Sequence, residues 1–142
     1  MKHIFAALLL ATFSTAAFAQ CATTVSALEG LVRHPGFPTS WIETGARDGR
    51  PLNLAISNNG SSLSMVFTKG GRPWAHGNGR ICGAGNNFTV RIPNITWGEA
   101  SMSLLRNNRS ANFGMVVNST RSRITVSVGS GLTRWSGTFR PR

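Results

Sequence analysis

The chain has 142 residues, 41% of them hydrophobic, and carries 15 Lys and Arg against four Asp and Glu, a formal net charge of +11. That length suffices for one modest core, and no second domain is expected. The charge imbalance favours anionic partners and draws them from a distance.

The first 19 residues read as a cleavable secretory signal peptide. Met1-Lys2-His3 is a short positive start, Ile4 to Leu10 is apolar, and Ser14 to Ala19 is rich in small residues. Ala17 and Ala19 occupy the two positions a signal peptidase reads, so the exported chain is expected to begin at Gln20. The apolar run is too short to span ~30 Å of hydrocarbon, and no other segment is a transmembrane candidate. Gln20 stands where a lipid-modifying enzyme needs a small residue, so Cys21 is expected to carry no lipid. Residues 20–142 then form a single β-rich domain, periplasmic or secreted.

Only two cysteines, Cys21 and Cys82, are present. In an oxidising compartment they are expected to pair. The bridge closes a loop worth ~4 kcal/mol in the chain-entropy model. With no Cys-x-x-Cys and only His34 and His76 beyond the leader, no metal or other cofactor is expected.

From Thr23 to Arg33, Val25, Leu28, Leu31 and Val32 recur at helical spacing, and Ser26 with Glu29 has the form of a capping box. One short helix is expected there, ended by Pro35 and Pro38 before a strand around Trp41. From Leu52 onward the period changes to two. Leu52, Leu54 and Ile56 are followed by Asn59-Gly60, read as a type I′ turn, and then by Leu63, Met65 and Phe67. The same alternation marks Phe88 to Ile92, Met102 with Leu104, Phe113 to Val117, and Ile124 to Val128. Glycine- and asparagine-rich stretches separate these runs. One apolar and one polar face per strand describes an antiparallel sheet. The expected fold is all-β: a small antiparallel β-barrel or sandwich of about seven to eight strands with one short N-terminal helix.

The segment from Lys69 to Gly85 reads as a loop. Lys69, Arg72, Trp74, His76 and Arg80 crowd into it with no acid among them. Arginine forks suit phosphate, sulfate or carboxylate, and a loop tryptophan can stack on a sugar ring or base. These five residues are therefore the expected binding site, although tryptophans also fill small cores. Gly77-Asn78-Gly79-Arg80, with Gly83 to Asn87, is either an anion nest or a pair of hairpin turns. It is not a Walker or dinucleotide motif.

Catalytic signatures are sparse. His34 and His76, with Lys69 or an arginine, would be a general acid and base pair around a phosphodiester. Glu43 and Asp48 flank a turn at Arg47-Asp48-Gly49-Arg50 and read as its local charge partners. No Gly-x-Ser-x-Gly, His-Glu-x-x-His or calcium-loop pattern is present.

Phe67-Thr68-Lys69-Gly70 and Ser136-Gly137-Thr138-Phe139 are similar to two short motifs of the periplasmic lysozyme inhibitors of the membrane-bound and periplasmic C-type family. Here the two motifs stand in the opposite order, and Phe139 replaces the family's aromatic tyrosine. The resemblance implies a signal-bearing β-barrel that binds a protein. Taken together, the residues point first to an exported non-enzymatic protein that binds an anionic polymer or lipid headgroup, such as lipopolysaccharide, nucleic acid or an acidic glycan. The alternatives are a secreted or periplasmic inhibitor of another enzyme, or a small cationic hydrolase or nuclease.

Overall fold

A computed structural model describes residues 20–142. The signal-peptide reading of residues 1–19 lies outside the described residues. Ten strands form one antiparallel sheet: β1 (Gln20–Ala22), β2 (Ser40–Thr44), β3 (Leu52–Asn59), β4 (Ser62–Lys69), β5 (Arg72–Ala84), β6 (Asn87–Ile92), β7 (Thr96–Trp97), β8 (Ala111–Val117), β9 (Ile124–Val128) and β10 (Trp135–Pro141). The expected all-β architecture is present. The hydrogen-bonded order β5-β4-β3-β2-β10-β9-β8-β6 returns to β5 through a β5–β6 ladder, giving a barrel-like ring to which β1 and β7 are attached.

Alternation explains why these segments are strands. Leu52, Leu54 and Ile56 point inward with Leu63, Met65 and Phe67, and Phe88, Val90, Ile92, Phe113, Met115, Val117, Ile124, Val126 and Val128 complete the interior. All belong to one continuous core. Two-residue turns set the register. Lys69 pairs with Arg72 across Gly70 and Gly71, both at positive φ, the type I′ pattern. The Asn59-Gly60 expectation shifts by one residue: Asn59 is already paired with Ser62, so the turn is Gly60-Ser61, with positive φ only at Gly60, the II′ pattern.

Helix α1 (Val25–Val32) lies at one end of the ring, with Leu28 and Val32 buried. Its cap is Thr24, not the Ser26-Glu29 box. The Thr24 backbone is extended, and its Oγ1 accepts from the Ala27 N–H at 3.0 Å, which leaves Ser26 inside the first turn. Asn58 Oδ1 accepts a second orphan donor, the Val25 N–H, at 2.7 Å. At the far end Arg33 adopts φ 55°, and the His34 N–H donates back to Glu29 O at 3.0 Å. Arg121 clips this end to the sheet by donating to Val32 O, Asn86 Oδ1, Asn118 O and Gly85 O. The Cys21–Cys82 disulfide joins residues directly opposite each other on β1 and β5, as the cysteine count implied. A disulfide fits a non-reducing compartment. No helix among the described residues is long and apolar enough to cross a membrane.

Two expected segments differ. Met102 and Leu104 do not lie on a strand: residues Ser103–Leu105 form a 3-10 turn that buries Leu105 and leaves Leu104 exposed. Arg106 stabilises that turn by donating to the Ser101 hydroxyl and to the carbonyls of Ser101 and Glu99. Lys69 to Gly85 is not a loop but is mostly the longest strand, β5. Its inner positions from Ala75 to Gly79 are Ala75, Gly77 and Gly79, so no bulky apolar side chain advertises the period before Ile81.

Those glycines are required by close approach. A Cβ on Gly79 would overlap the Arg91 carbonyl oxygen, and one on Gly77 would overlap Ile92. Gly30, within α1, has nothing within 4 Å of such an atom. Gly79→Ala should therefore lower the unfolding free energy by at least ~3 kcal/mol, the upper range of overpacking costs, whereas Gly30→Ala should raise it by ~0.5–1 kcal/mol. Urea denaturation of both variants checks the pair. Equal effects at the two sites would contradict the packing of β5 on β6.

Candidate functional site: a wall cleft and a mouth cleft

The five residues singled out in the sequence do not form one site. Lys69 and Arg72 face each other across the β4–β5 turn, and each meets an acid: Lys69 Nζ lies 3.0 Å from Asp48 Oδ2, and Arg72 lies 3.5 Å from Glu99 Oε1. Trp74 is the extra residue of a β-bulge opposite Phe67 and Thr68, which turns it inward next to Ala75. It is only 3% exposed. Its ring lies 4.9 Å from that of Trp135, 5.4 Å from Phe67 and 5.6 Å from Trp97, centroid to centroid. Trp74 is thus core, with no face left for a ligand. His76 and Arg80 stand on the outer face of β5.

Arg80 has a neighbour that the sequence reading left out. The β5–β6 register places Arg91 directly opposite it, and the β6–β8 register places Asn112 next in the same row. All three are exposed. They line a cleft of about 520 Å³ on the wall of the sheet, together with Thr23, Ser61, Ser62, Asn78 and Ser110. The chain's four acids are Glu29, Glu43, Asp48 and Glu99, and none lines this cleft or pairs with either arginine. Like charges directly opposite on neighbouring strands are destabilising. Counting outward from the two-residue turn Gly85-Asn86 pairs 80 with 91, so a signal for Arg91 was present once 72–84 is read as a strand.

A second cleft, of about 650 Å³, opens at the end of the ring opposite α1. Its lining includes Glu43, Arg47, Asp48, Lys69, Arg134, Trp135 and Ser136 to Thr138. Glu43 shares the inner face of β2 with Trp41, and its Oε1 accepts from the Leu52 N–H at 3.0 Å. Gly137 lies flat against Trp135, since a Cβ there would approach the indole Cζ2 to 2.9 Å. Lys69 and Ser136 to Thr138, the two motifs noted in the sequence, thus border one cavity although they are far apart in the chain. The histidines are not brought together: His34 packs edge-on to Phe37 beside the helix end, and His76 pairs across strands with Val66 and Thr96.

Scanned against protein-family models, curated proteins and solved structures, the chain gives no match.

The Lys69 ammonium, followed by the Arg50 N–H at 3.0 Å, holds the Asp48 carboxyl below its ordinary value of 3.8. A carboxylate depressed on folding adds stability that is present above the unfolded value and is lost as pH falls through the folded one. Asp48 is exposed, so its contribution is small. In an NMR titration the Asp48 side-chain carbon should show a midpoint below 3.8, and Lys69→Gln should move that midpoint upward. A midpoint unmoved by the substitution would contradict the ion pair.

Proposed function

We propose that this is an exported, non-catalytic binding protein that holds an anionic polymer or lipid headgroup on the wall formed by β5 and β6, in the periplasm or outside the cell. One observation supports this reading above the others: Arg80 and Arg91 are opposed on adjacent strands with no acid to neutralise them. Among the described residues some of the other cations are engaged at home, although Arg33, Arg47, Arg50, Arg109, Arg123 and Arg134 are not. Lys69 and Arg72 meet carboxylates, while Arg106 and Arg121 hold carbonyls of the protein itself. The wall differs in that two unpaired cations share one cleft with no acid in its lining, and steering by the net charge would deliver a partner to it.

A second reading has its own observation. The mouth cleft gathers Lys69 with Ser136 to Thr138, the segments similar to lysozyme-inhibitor motifs, and the nearby Leu132 is 97% exposed. Such a rim, with an exposed apolar side chain beside it, favours a protein partner. The two readings respond differently to salt. Polyanion binding weakens steeply as salt rises, whereas an apolar hot spot is less affected.

Reversing both wall arginines, Arg80→Glu with Arg91→Glu, should lower the salt concentration needed to elute the protein from heparin. The change should exceed that of Arg123→Glu with Arg140→Glu, a control of equal charge whose residues are exposed and line neither cleft. The thermal midpoint should not fall. Equal elution of the two double variants would assign the attraction to the whole surface and remove the wall site.

A further inference from the structure

We propose that the Arg80–Arg91 cleft is a site for a phosphate or sulfate monoester, a tetrahedral oxyanion attached to a small polar group. The inference rests on the anionic-partner reading and names the chemistry of its site. Two guanidinium forks on adjacent strands can each present parallel N–H donors to one oxyanion. The polar groups around them are neutral: Thr23 and Ser61 hydroxyls, and the Asn78 and Asn112 amides. Every one of these can donate, and no carboxylate in the cleft competes with the ligand as acceptor. An acceptor-only ligand is what such a lining completes.

Size selects the ester over the bare ion. About 520 Å³ lies within the range of small-molecule sites and exceeds what a single phosphate fills. The uncharged hydroxyls and amides suit the polar group that carries the phosphate, whether a sugar or a glycerol. The mouth cleft differs in that Glu43 and Asp48 line it beside Arg47, Lys69 and Arg134, so carboxylates there compete with the ligand for the cations. The position of the arginines also makes the site a stability element. Their mutual repulsion stands unrelieved in the free protein and is relieved when an oxyanion sits between them.

Thermal unfolding at fixed ionic strength tests this, with chloride replaced in turn by inorganic phosphate, sulfate and glucose 1-phosphate. The expected result is a saturable rise in midpoint with all three, glucose 1-phosphate half-saturating at a concentration at least threefold lower than inorganic phosphate. Arg80→Gln with Arg91→Gln should abolish the rise and unfold no earlier than the parent in chloride. Arg123→Gln with Arg140→Gln should keep it. Co-sedimentation with phosphatidylcholine vesicles containing phosphatidic acid separates the sources. Binding that the wall substitutions remove assigns a lipid headgroup, and no binding assigns the soluble ester. A midpoint rise that survives the wall substitutions overturns the site, as does binding to vesicles with no response to the soluble anions. If heparin retention depends on the two arginines while neither phosphate nor the sugar phosphate binds, the monoester site fails and the broader reading stands. If retention does not depend on them either, both fall.

Discussion

The absence of a side chain at Gly79 lets β5 and β6 come close enough for the sheet to return on itself. The Arg91 carbonyl occupies the space a Cβ would take, and Gly77 makes the same allowance for Ile92 one step along the strand. Without that approach β5 could not pair with β4 along its first part and with β6 along its last. Closure of the ring, burial of its single core and the position of β1 with its disulfide all follow from this junction. The same junction sets Arg80 opposite Arg91, so the feature that closes the fold also places two like charges on adjacent strands. Glycine's cost in conformational entropy is accepted here for geometry that no larger residue permits.

The two ends of the ring are closed by different means. At one end α1 lays Leu28 and Val32 over the core, and Arg121 ties the helix terminus to two turns. At the other end Trp74, Trp97 and Trp135 pack with Phe67, Phe113 and Phe139. Trp97 directs its Nε1–H to Asn108 O at 2.8 Å and so satisfies its polar atom. The tryptophans therefore serve packing, and the aromatic contact imagined for a ligand at Trp74 has no surface to act through. Charge follows a related division. Lys69, Arg72, Arg106 and Arg121 are held by carboxylates or carbonyls of the protein, whereas Arg80 and Arg91 share a cleft without such partners.

Much of the fold was legible because large inner residues announce the period. β3, β4, β6, β8 and β9 each place three bulky apolar side chains at alternate positions. β5 was illegible for the opposite reason, since its inner positions between Trp74 and Ile81 are alanine and glycine and a bulge at Trp74 breaks the alternation. The disulfide followed from two cysteines with no competitor. The site was half legible. Arg80 stood out by its charge, whereas Arg91 looked like an ordinary outward residue between Val90 and Ile92, and its meaning came only from the residue across the strand. The pairing of Lys69 with Asp48 and of Arg72 with Glu99 was equally hidden, because those acids lie on other loops.

The central claim is that the opposed arginines, and not the net charge at large, receive the partner's anionic group. Arginine Nε–H resonances report this residue by residue during a titration with glucose 1-phosphate at constant ionic strength. The account expects the Arg80 and Arg91 signals to move together to a common saturation while those of Arg33, Arg123 and Arg140 move little. Shifts of similar size at all of these arginines, without saturation, would contradict it.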